Sequence, residues 1–208
     1  MNYNKYKIII IGDSSVGKTT ILNTYLKKNN NNPISTIGTE YSNIIINKYN
    51  QELQIWDCAG QEKFRSLVKL YYRKAAVCIF VFDLNNINTL YTINDYWIKN
   101  VLDNIDDECN FLLIGNKSDL EKNTNYDIIN KLCVKYNINY IESSAIKNKN
   151  ITTIFETISD ILQAKYILNK NNYCNTKLIC NQNVIINNNN NNQTNQTYSY
   201  FKYNYSYC

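Results

Sequence analysis

Polar and apolar positions alternate from Lys5 to Lys7, and then four isoleucines follow without a break, Ile8 to Ile11. An apolar run of this length, closed by glycine, is the pattern of a strand buried on both faces. From Lys18 to Lys28 the apolar residues Ile21, Leu22, Tyr25 and Leu26 take helical spacing, and "NNNNP" ends that run. "YSNIIINKYN" and "QELQIWD" read as two strands joined by a turn at Tyr49-Asn50. "AAVCIFVFD" and "NFLLIGNKSD" are further buried strands, and "TLYTINDYWIKNVLDNI" between them has helical periodicity. "YDIINKLCVKY" predicts another helix and "INYIESSA" a sixth strand. Ile151, Ile154, Phe155, Ile158, Ile161 and Leu162 trace one face of a final helix. Strands alternating with helices imply βαβ units, hence an α/β fold: a mostly parallel six-stranded sheet with helices on both faces. Ligands of such sheets bind beyond the carboxyl ends of the strands.

The periodicity stops near Leu168, and residues 169–208 are low-complexity, with three lysines, no acid and no proline. The expected organisation is a domain over 1–168 and a flexible tail over 169–208. The net charge of +5 is spread over scattered lysines, with Arg65 and Arg73 the only arginines. No basic block marks a nucleic-acid surface, so no nucleic-acid partner is expected. Without histidine, imidazole catalysis and His-ligated metals are excluded. Seven cysteines in 208 residues, none in a C-x-x-C pair, read as reduced thiols rather than a disulfide scaffold. No signal peptide and no apolar stretch of membrane-spanning length is apparent.

Composition changes the picture at one point. The chain has only 5 glycines, and Gly12 and Gly17 stand five apart directly behind the isoleucine run. "GDSSVGKT" fits G-x-x-x-x-G-K-[ST], a loop whose backbone N–H groups wrap phosphates and whose following helix adds its positive end. Gly12, Asp13, Ser14, Ser15, Val16 and Gly17 would form the cradle, continued by Thr20. Lys18 would reach the β- and γ-phosphates, and the Thr19 hydroxyl would bind Mg²⁺. Asp57, at a strand end, could hold the same Mg²⁺ through water, and Gly60 would let its N–H approach a γ-phosphate. By itself a strand-end Asp is more often a simple turn former; beside a phosphate loop the functional reading is favoured. Thr36 could complete the metal shell when a γ-phosphate is present; as an isolated feature it reads as part of a polar loop. In "NKSD" the Asp119 carboxylate can accept from N1–H and N2–H₂ of guanine, a pair adenine does not offer. This argues against an ATPase. Asn116 can tie this loop to the phosphate loop, and the stem of Lys117 can lie on the base. All five glycines therefore fall in or beside segments that would surround a guanine nucleotide.

From about Tyr6 to Leu168 the chain resembles the Ras superfamily of small GTPases, and within it the Rab family. The likeness rests on "STIGTEY", "LQIWDCAGQEKFRSL", "LYYRKA" and "FVFDLNN" beside the motifs above. It implies a GTP/GDP switch that hydrolyses GTP in vesicle traffic, on the cytoplasmic face of a membrane and with a cytosolic pool. Gln61 would orient the attacking water, with Lys18 supplying charge. Ser144 and the Ala145 N–H would serve the base. Ile37, Tyr41, Trp56 and Tyr71 would form the surface that effectors read; Trp56 and Tyr71 also read as sheet and helix packing, and both roles can hold at once. The implied partners are an exchange factor, an activating protein, effectors and a GDP-dissociation inhibitor, acting on a monomer. No arginine stands where a built-in finger is expected, so intrinsic hydrolysis should be slow, ~10⁻⁴ to 10⁻³ s⁻¹.

Departures from the family pattern are informative. Thr19 to Thr36 is one residue shorter than usual. Asn30 stands nearest the customary aromatic on the guanine, and Ile146 replaces the lysine of the family's "ETSAK" segment, here "ESSAI". Guanine preference with faster nucleotide release is expected. The contrasting expectation is a fast-exchanging, non-hydrolysing GTP-bound scaffold, which Gln61 argues against. Cys58 replaces a threonine with little expected consequence. Cys208 lacks the paired cysteines of Rab tails, and Tyr205 stands where C-a-a-X needs cysteine. A single geranylgeranyl group on Cys208 would anchor only reversibly.

Overall fold

The isoleucine run forms the middle of the sheet because both of its faces are covered. In the computed structural model, which describes residues 3–28, 36, 38–105 and 109–180 (171–180 as backbone only), strand β1 spans Asn4–Ile11. Ile8 and Ile10 point into one apolar cluster and Ile9 and Ile11 into another, as the two-residue side-chain period of a strand requires. The other strands are β2 (Thr39–Ile46), β3 (Gln51–Cys58), β4 (Val77–Asp83), β5 (Asn110–Asn116) and β6 (Asn139–Glu142). Their order is β2-β3-β1-β4-β5-β6, with β2–β3 antiparallel and every other pairing parallel. All of β4 is buried.

Helices α1 (Lys18–Tyr25) and α6 (Ile151–Cys180) cover the face with Ile8 and Ile10, through Ile21, Leu22, Phe155 and Ile158. The opposite face packs against α2 (Arg65–Val68), α3 (Ile87–Thr92), α4 (Ile98–Leu102) and α5 (Tyr126–Tyr136), through Val68, Leu90, Ile98 and Ile129. The chain divides into two units, 1–168 and 169–208. Helix α6 continues to Cys180, past Leu168, where its apolar spacing ends.

Three local features differ from the sequence pattern. The single helix expected over 89–105 is interrupted by a π-helical segment, Ile93–Trp97, between α3 and α4. The sixth strand stops at Glu142, because Ser143 to Ala145 turn their polar groups toward the loops at the strand ends. Residues 62–71, without an expected element, form short helical turns around α2, held by the buried Val68 and followed by the buried Tyr72.

The turn between β2 and β3 is fastened to α6. Gln51 and Ser159, both buried, exchange two hydrogen bonds. The Gln51 amide donates to the Ser159 carbonyl (3.1 Å), and the Ser159 hydroxyl donates to Gln51 Oε1 (2.6 Å). Lys48 pairs with Asp160 at 2.9 Å on the surface above them.

Candidate nucleotide-binding site

The loop between β1 and α1 is shaped by close protein neighbours. Gly17 caps α1 with φ of 99°, in the left-handed region, and a Cβ there would lie 2.2 Å from Asn116 Nδ2. Gly60 has a different constraint: its Cβ would lie 2.4–2.5 Å from the backbone of Gly12 and Asp13. The glycine allows the strand-end loop after β3 to lie directly on the phosphate loop.

Lys18 is almost fully buried, and its ammonium donates to the carbonyls of Gly12 (2.9 Å) and Asp13 (2.7 Å). Burial pulls its pKa below the ordinary lysine value, against the opposing pull of Asp57. The Thr19 hydroxyl lies 2.9 Å from that of Thr36 and donates to Asp57 Oδ2 at 2.5 Å. Asp57 has no exposed surface, and burial pushes its carboxyl up to about 6, with the Thr19 hydrogen bond working the other way. Its other oxygen, Oδ1, is buried without a hydrogen-bond partner. Two hydroxyls and a carboxylate with an unused oxygen form a hard-oxygen donor set, which fits Mg²⁺. Among the described residues no group of three or more His, Cys, Asp or Glu could hold a metal.

At the carboxyl ends of β5 and β6, Asn116 joins three loops. Its amide donates to the Val16 carbonyl (2.9 Å), and its Oδ1 accepts from the Ser143 hydroxyl and the Ala145 N–H, both at 3.2 Å. The Ala145 N–H, expected on the base, thus has a protein acceptor. Asp119 accepts a hydrogen bond from the Ser144 hydroxyl. Lys117 has a positive φ of 63°, and its ammonium pairs with Asp83 at 2.6 Å.

Part of this set lines one cleft of about 300 Å³, with Asp57 and Ser144 behind the lining. Ser14, Ser15, Thr20, Gly60 and Gln61 line it beside Lys18, Thr19 and Thr36, and Asn116, Lys117, Asp119, Ala145 and Ile146 line it as well. The Asp13 carboxylate is engaged elsewhere. It accepts from the Trp97 indole N–H (2.9 Å) and from Arg65 (3.4 Å). Outside the cleft, Trp56 contacts the rings of both Tyr41 and Tyr71, with centroids 5.1 and 5.2 Å away. Cys58 is buried, and its thiol donates to the Trp56 carbonyl at 3.6 Å. Asn30, Ile37 and Cys208 lie outside the described residues. Asp83, Ser143, Arg65 and Trp97 were not singled out from sequence. Asp83 and Arg65 stand inside segments quoted for the family likeness, and their partners are distant in the chain.

A strand–glycine loop–helix turn with a buried lysine, a hard-oxygen donor set and a strand-end carboxylate fit a nucleotide-binding site of the P-loop class. A model of the Ras family matches residues 7–164. The chain is 39% identical over 168 residues to Ras-related protein SEC4 of Saccharomyces cerevisiae, covering 79% of this chain and 78% of that one. It is 35% identical to Ras-related protein Rab-5B of Plasmodium falciparum (78% and 80% covered) and 34% to Ras-related protein Rab-8A of Bos taurus (77% and 79%). The chain belongs to the Ras family, as a small GTPase of the Rab type. As such it binds guanine nucleotide and hydrolyses GTP to GDP.

Proposed function

We propose that this GTPase is a switch in vesicle traffic. Its GTP form orders residues 30–41 and 58–72 for an effector, and hydrolysis releases them. The observation that carries the site reading is the shared cleft, with Lys18, Thr19 and Thr36 lining it together with Asp119. In this reading the phosphate loop and Lys18 bind the phosphates, and Asp119, braced by Ser144, accepts from the guanine edge. Gln61 orients the attacking water. Mg²⁺ held by Thr19, Thr36 and Asp57 would supply neutralising charge during phosphoryl transfer. Arg65, the arginine nearest the phosphate loop, is turned to Asp13. Its position supports slow intrinsic turnover, with an activating protein supplying an arginine. Tyr41, Trp56 and Tyr71 form the effector surface. A lipid on Cys208 gives reversible membrane contact, readable in the intact mass of protein taken from cells. Among the described residues no helix is long and apolar enough to cross a membrane.

The test is release of fluorescent GDP, chased with excess GTP or ATP, followed by single-turnover hydrolysis. Competition by GTP alone is expected, and equal competition by ATP would overturn the guanine assignment. Gln61→Leu is expected to abolish turnover stimulated by an activating protein. If it changes little in a protein that already hydrolyses negligibly, the chain is a constitutively loaded scaffold.

A further inference from the structure

Asp13 is a hub. Its carbonyl takes the Lys18 ammonium, and its backbone lies against Gly60, where a Cβ would stand 2.4 Å away. Its carboxylate takes the Trp97 indole N–H at 2.9 Å and an Arg65 guanidinium nitrogen at 3.4 Å. Each contact comes from a different segment: α1, the loop after β3, the π-helical segment, and the turns that follow Gln61.

Arg65 stands four residues after Gln61, at the start of α2. Its guanidinium carbon lies 4.3 Å from the centroid of Tyr96 and 5.5 Å from that of Trp97, both within cation–π range. Its Nε is buried without a hydrogen-bond partner. The guanidinium is therefore held by two aromatic faces and by one long hydrogen bond to Asp13. Tyr96 and Trp97 are the last two residues of the π-helical segment, a kind of bulge often found at functional sites. Trp97 is fully buried and meets Tyr96 edge-on, so this seat is rigid. The Trp97–Asp13 bond has the ordinary length of an N–H···O bond, whereas the Arg65–Asp13 bond is at the outer limit of hydrogen bonding.

We infer that Arg65 and Trp97 are positioning residues for hydrolysis: the Asp13–Trp97–Tyr96 seat receives Arg65 and so sets where Gln61 stands over the phosphate loop. The inference rests on the reading of Gln61 as the residue that orients water. Neither side chain lines the cleft. Their removal should therefore misplace Gln61 without loosening the nucleotide, and small misplacements of such groups cost rate steeply.

The experiment uses the full chain as Arg65→Lys, Trp97→Phe and Gln61→Leu, each loaded with GTP and Mg²⁺. Single-turnover hydrolysis and GDP dissociation are measured side by side. Lysine keeps the charge at 65 but loses the planar group that stacks on the rings. Phenylalanine keeps an aromatic ring at 97 but loses the N–H to Asp13. Both variants are expected to hydrolyse GTP roughly tenfold more slowly, with GDP dissociation within about twofold of the parent protein. Full activity in Arg65→Lys would mean that charge alone suffices and would overturn the inference. So would parent-like hydrolysis in both variants while Gln61→Leu is slow, and so would GDP dissociation accelerated as much as hydrolysis is slowed. If Gln61→Leu hydrolyses like the parent, the Gln61 assignment fails and the inference falls with it.

Discussion

Ile146 is 77% exposed at the rim of the cleft, at the position where the resemblance led a lysine to be expected. A solvated isoleucine contributes little to holding a base, and Asn30 lies in the other segment expected to touch it. Ile146→Lys is expected to slow GDP release about tenfold, the low end of the ~1–3 kcal/mol that a base-stacking contact supplies. Stopped-flow release that is unchanged would show that the rim does not govern dissociation. Cys109 illustrates a pH effect that has nothing to do with the cleft. Burial pushes its thiol from 9.0 up to about 12. Because the pKa in the folded protein is the higher one, the neutral thiol contributes its full stability below pH 9, and this is lost as pH rises toward about 12. The urea midpoint should fall across that interval, and Cys109→Ala should fall less steeply. At this scale much of the site was legible in the sequence. Lys18, Thr19, Asn116 and Asp119, which line one cleft, could be singled out because phosphate and guanine chemistry demand those residue types at fixed spacing. Asp83, Ser143 and Trp97 were not, because each acts through a partner 27 to 84 residues away. Nothing in local spacing signals such a contact.

Among the elements, the strands were the easiest to read, since four isoleucines in a row have no exposed face to prefer. The π-helical segment was hidden because Ile93, Trp97, Ile98 and Val101, all buried, keep a spacing that an ordinary helix would also show. The turns at 62–71 were hidden for the opposite reason. Their buried anchors are few, and Leu67 and Leu70 face solvent at 49% and 74% exposure. The Gln51–Ser159 pair is an element-scale link with a measurable cost. Gln51→Leu would leave the buried Ser159 hydroxyl without its acceptor, at about 1–3 kcal/mol. A lowered denaturation midpoint with unchanged GDP affinity is the expected result. An unchanged midpoint would show that the pair is replaceable by apolar packing.

Across residues 1–168, the chemistry lies at the carboxyl ends of β1, β3, β5 and β6, while the β2–β3 turn lies at the far end of its hairpin. That turn is riveted to α6 by Gln51 with Ser159 and by Lys48 with Asp160. A strand pair can advance along a sheet only by giving up its register, and a slip of one residue would turn Leu53 and Ile55 out of the core. The rivet adds a second lock. The hairpin therefore cannot act as a piston that carries news of the nucleotide to the opposite pole of the molecule. Amide exchange compared between GDP-loaded and GTP-loaded protein should differ near Gln61 and Thr36 and match at 46–51. Whatever distinguishes the two forms must be read from one end, and a partner that grips the other end will be blind to which nucleotide is bound.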